Sequence, residues 1–244
     1  MENHPSEISV GTAPANKLSK AITLMVSAIV ISLILMFMSF VRRLGNFPVT
    51  TLLLIPWICI VVSYPFRKVL QVEINLFSPY PSLLSPVIIA VIALFAFDMK
   101  TMTILDYHNI WLPTCIIAAV LATLLLLMTR PFGGTILFKR RSIAFFIVVL
   151  FGYSFLSTEY LNFLIDKTAP VHYSAIVLRK RIVHSRRNNY CSITLAPWGP
   201  QKYKSEITVT PYFYDEIHEN DYLSIYFRQG GLNIPWYRVE GKEK

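Results

Sequence analysis

The sequence predicts a membrane protein in two parts: an all-α bundle of about five transmembrane helices, then a small all-β domain at the C-terminus. Long apolar runs recur through positions 1–165, whereas short stretches of alternating apolar and polar residues follow from position 169 onwards. Positions 1–165 hold 11 Lys and Arg and 6 Asp and Glu, and positions 166–244 hold 12 and 8. Only 15% of all residues are charged, against roughly 25% in an average soluble domain, so a membrane part joined to a water-facing part is favoured.

Five apolar runs are predicted to be transmembrane helices, because a hydrocarbon core about 30 Å thick requires about 20 apolar residues in a helix. In chain order the runs cover residues 21–41, 49–66, 83–97, 110–129 and 143–165. The third run is the weakest, and a rival assignment with four spans omits it, which would place the basic segment Arg130–Arg141 outside. Residues 1–20 are predicted to form a disordered cytoplasmic segment, since most of them are polar and two are proline.

The basic residues between the runs predict the orientation. With the N-terminus in the cytoplasm, eight Lys and Arg fall in the inner segments and three in the short outer loops, as the positive-inside rule requires. The eight are Lys17, Lys20, Arg67, Lys68, Arg130, Lys139, Arg140 and Arg141. We therefore expect a multi-pass protein of a bacterial inner membrane with its C-terminus in the periplasm. The net charge of +9 is interpreted as membrane orientation and not as nucleic-acid binding.

Residues 169–244 are predicted to form the extracytoplasmic β-domain. Period-two alternation bounded by Gly, Asn and Pro indicates five half-buried strands. The strands cover residues 174–184, 190–196, 205–210, 222–228 and 232–239. In the first of them, Ile176, Leu178 and Ile182 share one face. Five short strands in a domain of this size indicate a barrel-like sheet or a two-layer sheet.

A basic hairpin in this domain is the first candidate binding site, and it consists of Arg179, Lys180, Arg181, Arg186 and Arg187. Its charge is suited to anionic lipid headgroups or to an acidic face of a partner protein. The alternative is a solvated hairpin whose charges protect the sheet edge. Trp198 and Trp236 are further candidates, because large aromatic residues either complete a small core or dock a domain on a membrane or a partner.

Glu159 is the candidate functional residue within the membrane, because an ionisable side chain in an apolar run is costly to bury. It lies late in the fifth run, so the alternative is an interfacial carboxylate that reaches water. Asp98, Asp106 and His108 share the loop between the third and fourth runs. Two carboxylates and a histidine are suited to acid–base chemistry, although an ordinary polar loop is the simpler interpretation.

No catalytic residue, metal site or cofactor is predicted. The cysteines Cys59, Cys115 and Cys191 are far apart in the chain, and the five histidines are scattered. The sequence contains no phosphate-binding glycine loop, no dinucleotide fingerprint, and neither HExxH nor GxSxG.

The favoured hypothesis is a non-catalytic membrane protein that binds a partner through its outer β-domain, in an accessory, assembly or immunity role. The expected partners are membrane lipid and another membrane or periplasmic protein. The alternative is a small transporter or channel component with Glu159 or Asp98 on its path. This alternative predicts that Glu159→Gln abolishes transport while the protein still inserts.

Overall fold

Helices occupy most of the first two-thirds of the described chain. The computed structural model describes residues 19–24, 26–27, 30–31, 34, 47–66, 82–98, 103–129, 140–184 and 189–242. The helices are α1 (Phe47–Ser63), α2 (Leu84–Asp98), α3 (Trp111–Thr129), α4 (Arg140–Leu164) and α5 (Pro211–Glu216). Residues 19–24 are also helical, and the rest of the predicted disordered segment lies outside the described residues.

The predicted bundle of five transmembrane helices is wrong, and so is the fold class built on it. Among the described residues, two helices are long and apolar enough to cross a membrane, His108–Leu127 with 20 residues and Ile143–Leu164 with 22. The apolar helices over the second and third runs are shorter, Thr50–Phe66 and Leu84–Phe95, and most of the first run lies outside the described residues. The strands form a six-stranded antiparallel half-barrel sheet, not a small domain confined to the C-terminus.

Helix length is the physical reason for this correction. A helix rises about 1.5 Å per residue, so about 20 residues are needed to cross about 30 Å. Helix α1 has 17 residues and helix α2 has 15. Hydropathy measures how apolar a run is, but it does not say where the helix begins and ends.

The chain divides into two compact units. The helical unit comprises residues 1–97 and 112–157, and the β-unit comprises residues 98–111 and 158–244. The β-unit therefore includes a segment that precedes α3, in addition to the end of α4 and everything after it.

Within the helical unit, Tyr153 connects α4 to α1. Its side chain is fully buried, its hydroxyl donates to the carbonyl of Leu53, and the indole N–H of Trp57 donates to that hydroxyl at 3.1 Å. These bonds satisfy a polar group that would be costly to bury alone.

The β-unit is built on one sheet with the strand order β1-β6-β5-β2-β3-β4, in which every neighbouring pair is antiparallel. The strands are β1 (Thr103–Ile104), β2 (Val171–His184), β3 (Asn189–Leu195), β4 (Ser205–Val209), β5 (Tyr222–Arg228) and β6 (Trp236–Lys242). The 14-residue strand β2 pairs first with β5 and then with β3. A strand overlaps each of the five ranges predicted from alternation, but the last one begins at Trp236 and not at residue 232, and β1 was not predicted.

Strand β2 contains a β-bulge, and its core face before the bulge is not the predicted one. The register between β2 and β3 shifts directly after Val177. Ala175 and Val177 are buried, whereas Leu178 and Ile182 are 38% and 46% exposed. The apolar face predicted for this strand is therefore not the core face. The buried core consists of Ala175, Val177, Ile193, Leu195, Trp198, Ile217, Leu223, Ile225 and Tyr237.

Candidate functional site

The β-unit contains a cavity of about 120 Å³ where three separate chain segments meet. The segments are the residues before α3, the last turns of α4 and the start of β6. Besides strand β1, the cavity is lined by Tyr107, Glu159, Tyr160, Asn162, Phe163 and Trp236. Among these described side chains, four are aromatic and one carries a formal charge.

Strand β1 closes one side of the cavity by pairing with the start of β6. Ile104 lies opposite Trp236 in this pairing. Directly after the strand, the N–H of Leu105 donates to the carbonyl of Pro235 at 2.8 Å. This very short strand is thus held by backbone bonds to a segment near the end of the chain.

Asn162 holds the loop before β6 against the last turn of α4. The side chain is buried, its amide N–H donates to the carbonyl of Ile234 at 2.9 Å, and its amide oxygen accepts the N–H of Leu232 at 2.9 Å. The backbone carbonyl of Asn162 also accepts the N–H of Gly231 at 3.0 Å. Both the oxygen and the nitrogen of the amide are therefore bonded to the loop, and the side chain forms part of the cavity wall.

Two glycines allow this close approach. Gly230 has φ of 78°, in the left-handed region, and a Cβ on it would collide with the amide of Asn162. A Cβ on Gly231 would collide with the side chain of Ile165 and would lie 2.9 Å from the carbonyl carbon of that residue. Any larger residue at either position would force its neighbours to shift or move the loop away from the helix.

Trp236 forms another part of the cavity wall and is held by three neighbours. It is 7% exposed, and its indole N–H donates to the carboxylate of Asp166 at 2.9 Å. The ring of Phe163 meets the indole edge-on with the ring centres 5.2 Å apart. The guanidinium of Arg228 lies 5.8 Å from the indole centre.

Several donors and a cation surround the Asp166 carboxylate. Burial raises the pKa of this carboxyl, but the hydroxyl and the backbone N–H of Thr168, the indole of Trp236 and the charge of Arg228 all lower it. The hydroxyl and the N–H of Thr168 donate at 2.6 and 2.8 Å. The net pKa lies below the ordinary value of 3.8, so the fold favours the ionised carboxylate.

We expect Asp166 to contribute to the acid sensitivity of the protein. Because its folded pKa is lowered, the ionised group stabilises the fold at neutral pH, and this stabilisation is lost as the pH falls through the folded pKa. The Asp166→Asn variant should be less stable than the wild type at pH 7 and should lose less stability between about pH 5 and pH 2. Guanidinium unfolding of the full chain in detergent, followed by tryptophan fluorescence, measures the difference at each pH. A Thr168→Ala control, which removes one donor, should be intermediate, and identical pH profiles for wild type and Asp166→Asn would contradict the prediction.

Glu159 is the one sequence-predicted acidic candidate that lines the cavity. It is partly buried beside Tyr160, in the last turns of α4. The loop candidates do not join it: the carboxylate of Asp106 accepts the backbone N–H of His108 at 2.9 Å in a local turn. The side chain of Asp98 lies outside the described residues.

Only some of the charged side chains of the basic hairpin are exposed. Arg179 and Arg181 are exposed on β2. The ammonium of Lys180 instead donates to the carbonyl of Ile217, and its backbone N–H donates to Glu219 at 3.0 Å. Arg186 and Arg187 lie outside the described residues. Lys180 thus has a structural role in the β-unit, and binding by the hairpin stays a prediction.

Trp198 lies in the core of the β-unit and not at the cavity. It is 4% exposed, and its ring centre is 5.0 Å from that of Tyr237 and 5.8 Å from that of Tyr173. The structure therefore leaves Trp198 and Trp236 little surface for a partner, and it brings only Trp236 together with Glu159.

Sequence reasoning missed most of the cavity wall. Tyr107, Tyr160, Asn162 and Phe163 were not predicted, because three of them lie in an apolar helix and one in a short loop. An amide within an apolar run, together with a Gly-Gly pair later in the chain, was the available signal for the Asn162 contact.

Comparisons with known proteins return nothing similar: no family model, no curated protein and no solved structure matches this chain. The geometry of the β-unit, its cavity and the apolar helices is therefore the basis for the function proposed below.

Proposed function

We propose that this protein is anchored in a bacterial inner membrane, presents its β-unit in the periplasm and acts there by binding a partner protein, without catalysing a reaction. Helices α3 and α4 supply the anchor, since they make up most of the two stretches that, among the described residues, are long and apolar enough to cross a membrane. A unit of this kind is suited to an accessory, an assembly or an immunity role.

The observation that carries the proposal is the pairing of β1 with β6. Strand β1 precedes α3, and strand β6 follows α4, yet both belong to one sheet. The chain therefore leaves the β-unit into α3 and returns to it from α4. Two consecutive spanning helices would satisfy this connection, because two crossings return the chain to the side of the membrane that it left.

The distribution of charge supports the same orientation. Arg130, Lys139, Arg140 and Arg141 lie in or next to the segment between the two helices. The segment 98–111 contains Lys100 as its single Lys or Arg. Because basic residues in short segments favour the cytoplasmic side, this difference favours a cytoplasmic connection and an extracytoplasmic β-unit.

The surface of α3 is suited to a lipid environment. Only 22% of the window in His108–Leu127 is buried within the chain, and Leu112 is 72% exposed. Leaving so much apolar surface in water would be costly, whereas lipid solvates it. Membrane lipid is thus one partner in the proposal.

The β-unit has exposed aromatic residues that support protein binding. Tyr203, between β3 and β4, is 79% exposed, and Tyr212 in α5 is 74% exposed. Lys202 and Lys204 flank Tyr203. Tyrosine is enriched at protein–protein interfaces, because it offers apolar area and a hydrogen-bonding group. The cytoplasmic position of the N-terminus, which lies outside the described residues, stays a prediction.

One labelling experiment tests both the orientation and the binding. The three native cysteines are replaced by alanine, and a single cysteine is introduced as Tyr203→Cys. A membrane-impermeant maleimide that carries a photocrosslinker is then added to cells with a permeable outer membrane. We expect labelling of Tyr203→Cys in intact cells and, after illumination, one discrete protein adduct.

The matched control is Thr135→Cys, in the segment between the two helices. It should be labelled only after the inner membrane is opened. Labelling of Thr135→Cys but not Tyr203→Cys in intact cells would refute the orientation. A labelled Tyr203→Cys that yields no protein adduct would count against partner binding.

A further inference from the structure

The cavity of the β-unit combines one carboxylate with several aromatic rings. Glu159 supplies the carboxylate, and Tyr107, Tyr160 and Phe163 supply the rings. The ring of Trp236 also lines the cavity, but the guanidinium of Arg228 already lies 5.8 Å from its centre. Aromatic faces attract cations through their quadrupole, and a carboxylate adds a full opposite charge. Such a lining favours a ligand that is both cationic and apolar.

The size of the cavity limits the ligand. Its volume of about 120 Å³ is somewhat smaller than the roughly 150 Å³ of a protein cavity that takes benzene. The cavity is therefore large enough for a group of about five non-hydrogen atoms. This is the size of a tetramethylammonium ion or of an ethanolamine headgroup.

A metal ion does not match the lining. Calcium requires about six to eight oxygen ligands, and magnesium about six. Among the described residues, no three His, Cys, Asp or Glu side chains are grouped as a metal site requires. The amide oxygen of Asn162 is already engaged by the N–H of Leu232 at 2.9 Å.

We propose that this cavity binds a small organic ammonium ion, with Glu159 as the counter-charge and the surrounding rings as cation–π partners. The inference rests on the proposed function, since it assigns a ligand class to the β-unit of a non-catalytic binding protein. Glu159 lies little more than one turn before the end of α4, which is about 7.5 Å along the helix. In a spanning helix this is the depth of lipid headgroups, so the ammonium belongs either to an amine-bearing lipid or to a free amine.

Titration of the full chain with tetramethylammonium chloride tests the ligand class. The protein is kept in a maltoside detergent and phosphate buffer, because Tris and phosphocholine detergents are themselves ammonium ions. Binding is followed by tryptophan fluorescence, to which Trp236 in the cavity wall contributes. We expect saturable binding in the millimolar range or tighter, and none by tert-butanol, a neutral molecule of similar size.

Matched variants test the role of each group. Glu159→Gln should weaken binding by about tenfold or more, because the counter-charge is removed without a change of shape. Glu240→Gln makes the same chemical change on β6 outside the cavity, and it should leave the affinity unchanged. Tyr107 is 45% exposed, so Tyr107→Leu should fold and should bind several-fold more weakly. Equal affinity of Glu159→Gln and the wild type, or equal binding of tert-butanol, would overturn the proposal.

A second arm distinguishes the two sources of the ammonium group. The titration is repeated in nanodiscs of phosphatidylglycerol with and without phosphatidylethanolamine. If the ethanolamine headgroup occupies the cavity, it should raise the apparent Kd for tetramethylammonium, whereas an unchanged Kd assigns a free amine. Either result supports the ammonium class, and loss of binding in both nanodiscs would overturn it. The titration in detergent does not depend on membrane orientation, so its failure is distinct from a failure of the labelling experiment.

Discussion

Replacing Asn162 with leucine is expected to lower the free energy of unfolding by about 3 kcal/mol, because it leaves one buried and one partly buried backbone group without their partners. The side chain accepts the N–H of Leu232 and donates to the carbonyl of Ile234, both at 2.9 Å. Leucine has a similar volume and cannot form either bond. The measurement is guanidinium unfolding of the full chain in detergent, followed by tryptophan fluorescence.

Asn109→Leu is the matched control for this variant. The side chain of Asn109 is exposed and donates one hydrogen bond, to the carbonyl of Asn233 at 2.8 Å. Water can replace that bond, so the loss should stay below about 1 kcal/mol. If the Asn109 and Asn162 variants lose equal stability, the amide of Asn162 does not hold the loop as inferred.

Replacing Gly231 with alanine is expected to lower the free energy of unfolding by about 2 to 3 kcal/mol. The new Cβ would collide with the side chain of Ile165 and would lie 2.9 Å from its carbonyl carbon. The side chain can rotate away, but the backbone of Ile165, directly after α4, cannot move without disturbing the bonds of Asn162. The same unfolding measurement applies, and Ile165→Ala combined with Gly231→Ala should recover only part of the loss.

Gly152→Ala is the control for Gly231→Ala, and it should raise the free energy of unfolding where Gly231→Ala lowers it. A Cβ at this position in α4 would make an ordinary contact, 3.9 Å from a methyl group of Val91. Alanine in a helix interior is favoured over glycine by up to about 1 kcal/mol. A stable Gly231→Ala variant would show that the loop adapts and that its approach to α4 is not strictly limited by size.

Strand positions in the β-unit could be predicted well because alternation is a local property. Residues 190–196 and 222–228 were predicted as strands, and β3 and β5 occupy 189–195 and 222–228. The core face of β2 was predicted wrongly, because both faces carry apolar residues before the bulge and alternation does not say that Ala175 and Val177 are the buried pair. Charge and apolar runs indicated a membrane helix over α3 and over α4. They also predicted spanning helices over α1 and α2, which are too short because the length of a helix depends on where it begins and ends.

Of the candidate site, Glu159 and Trp236 were predicted as separate residues with separate roles. Their proximity in one cavity depends on contacts between segments that are far apart in the chain, and a strand as short as β1 is too brief for any period to be visible.

By itself, then, the sequence determined the elements whose signal repeats within one segment: apolar helices, alternating strands and basic flanking residues. Only the tertiary structure decided that residues 98–111 belong to the β-unit, that Asn162 and Gly231 hold its loop, and that a cavity forms there. The physical reason is that such contacts are made between distant positions whose pairing no local pattern records.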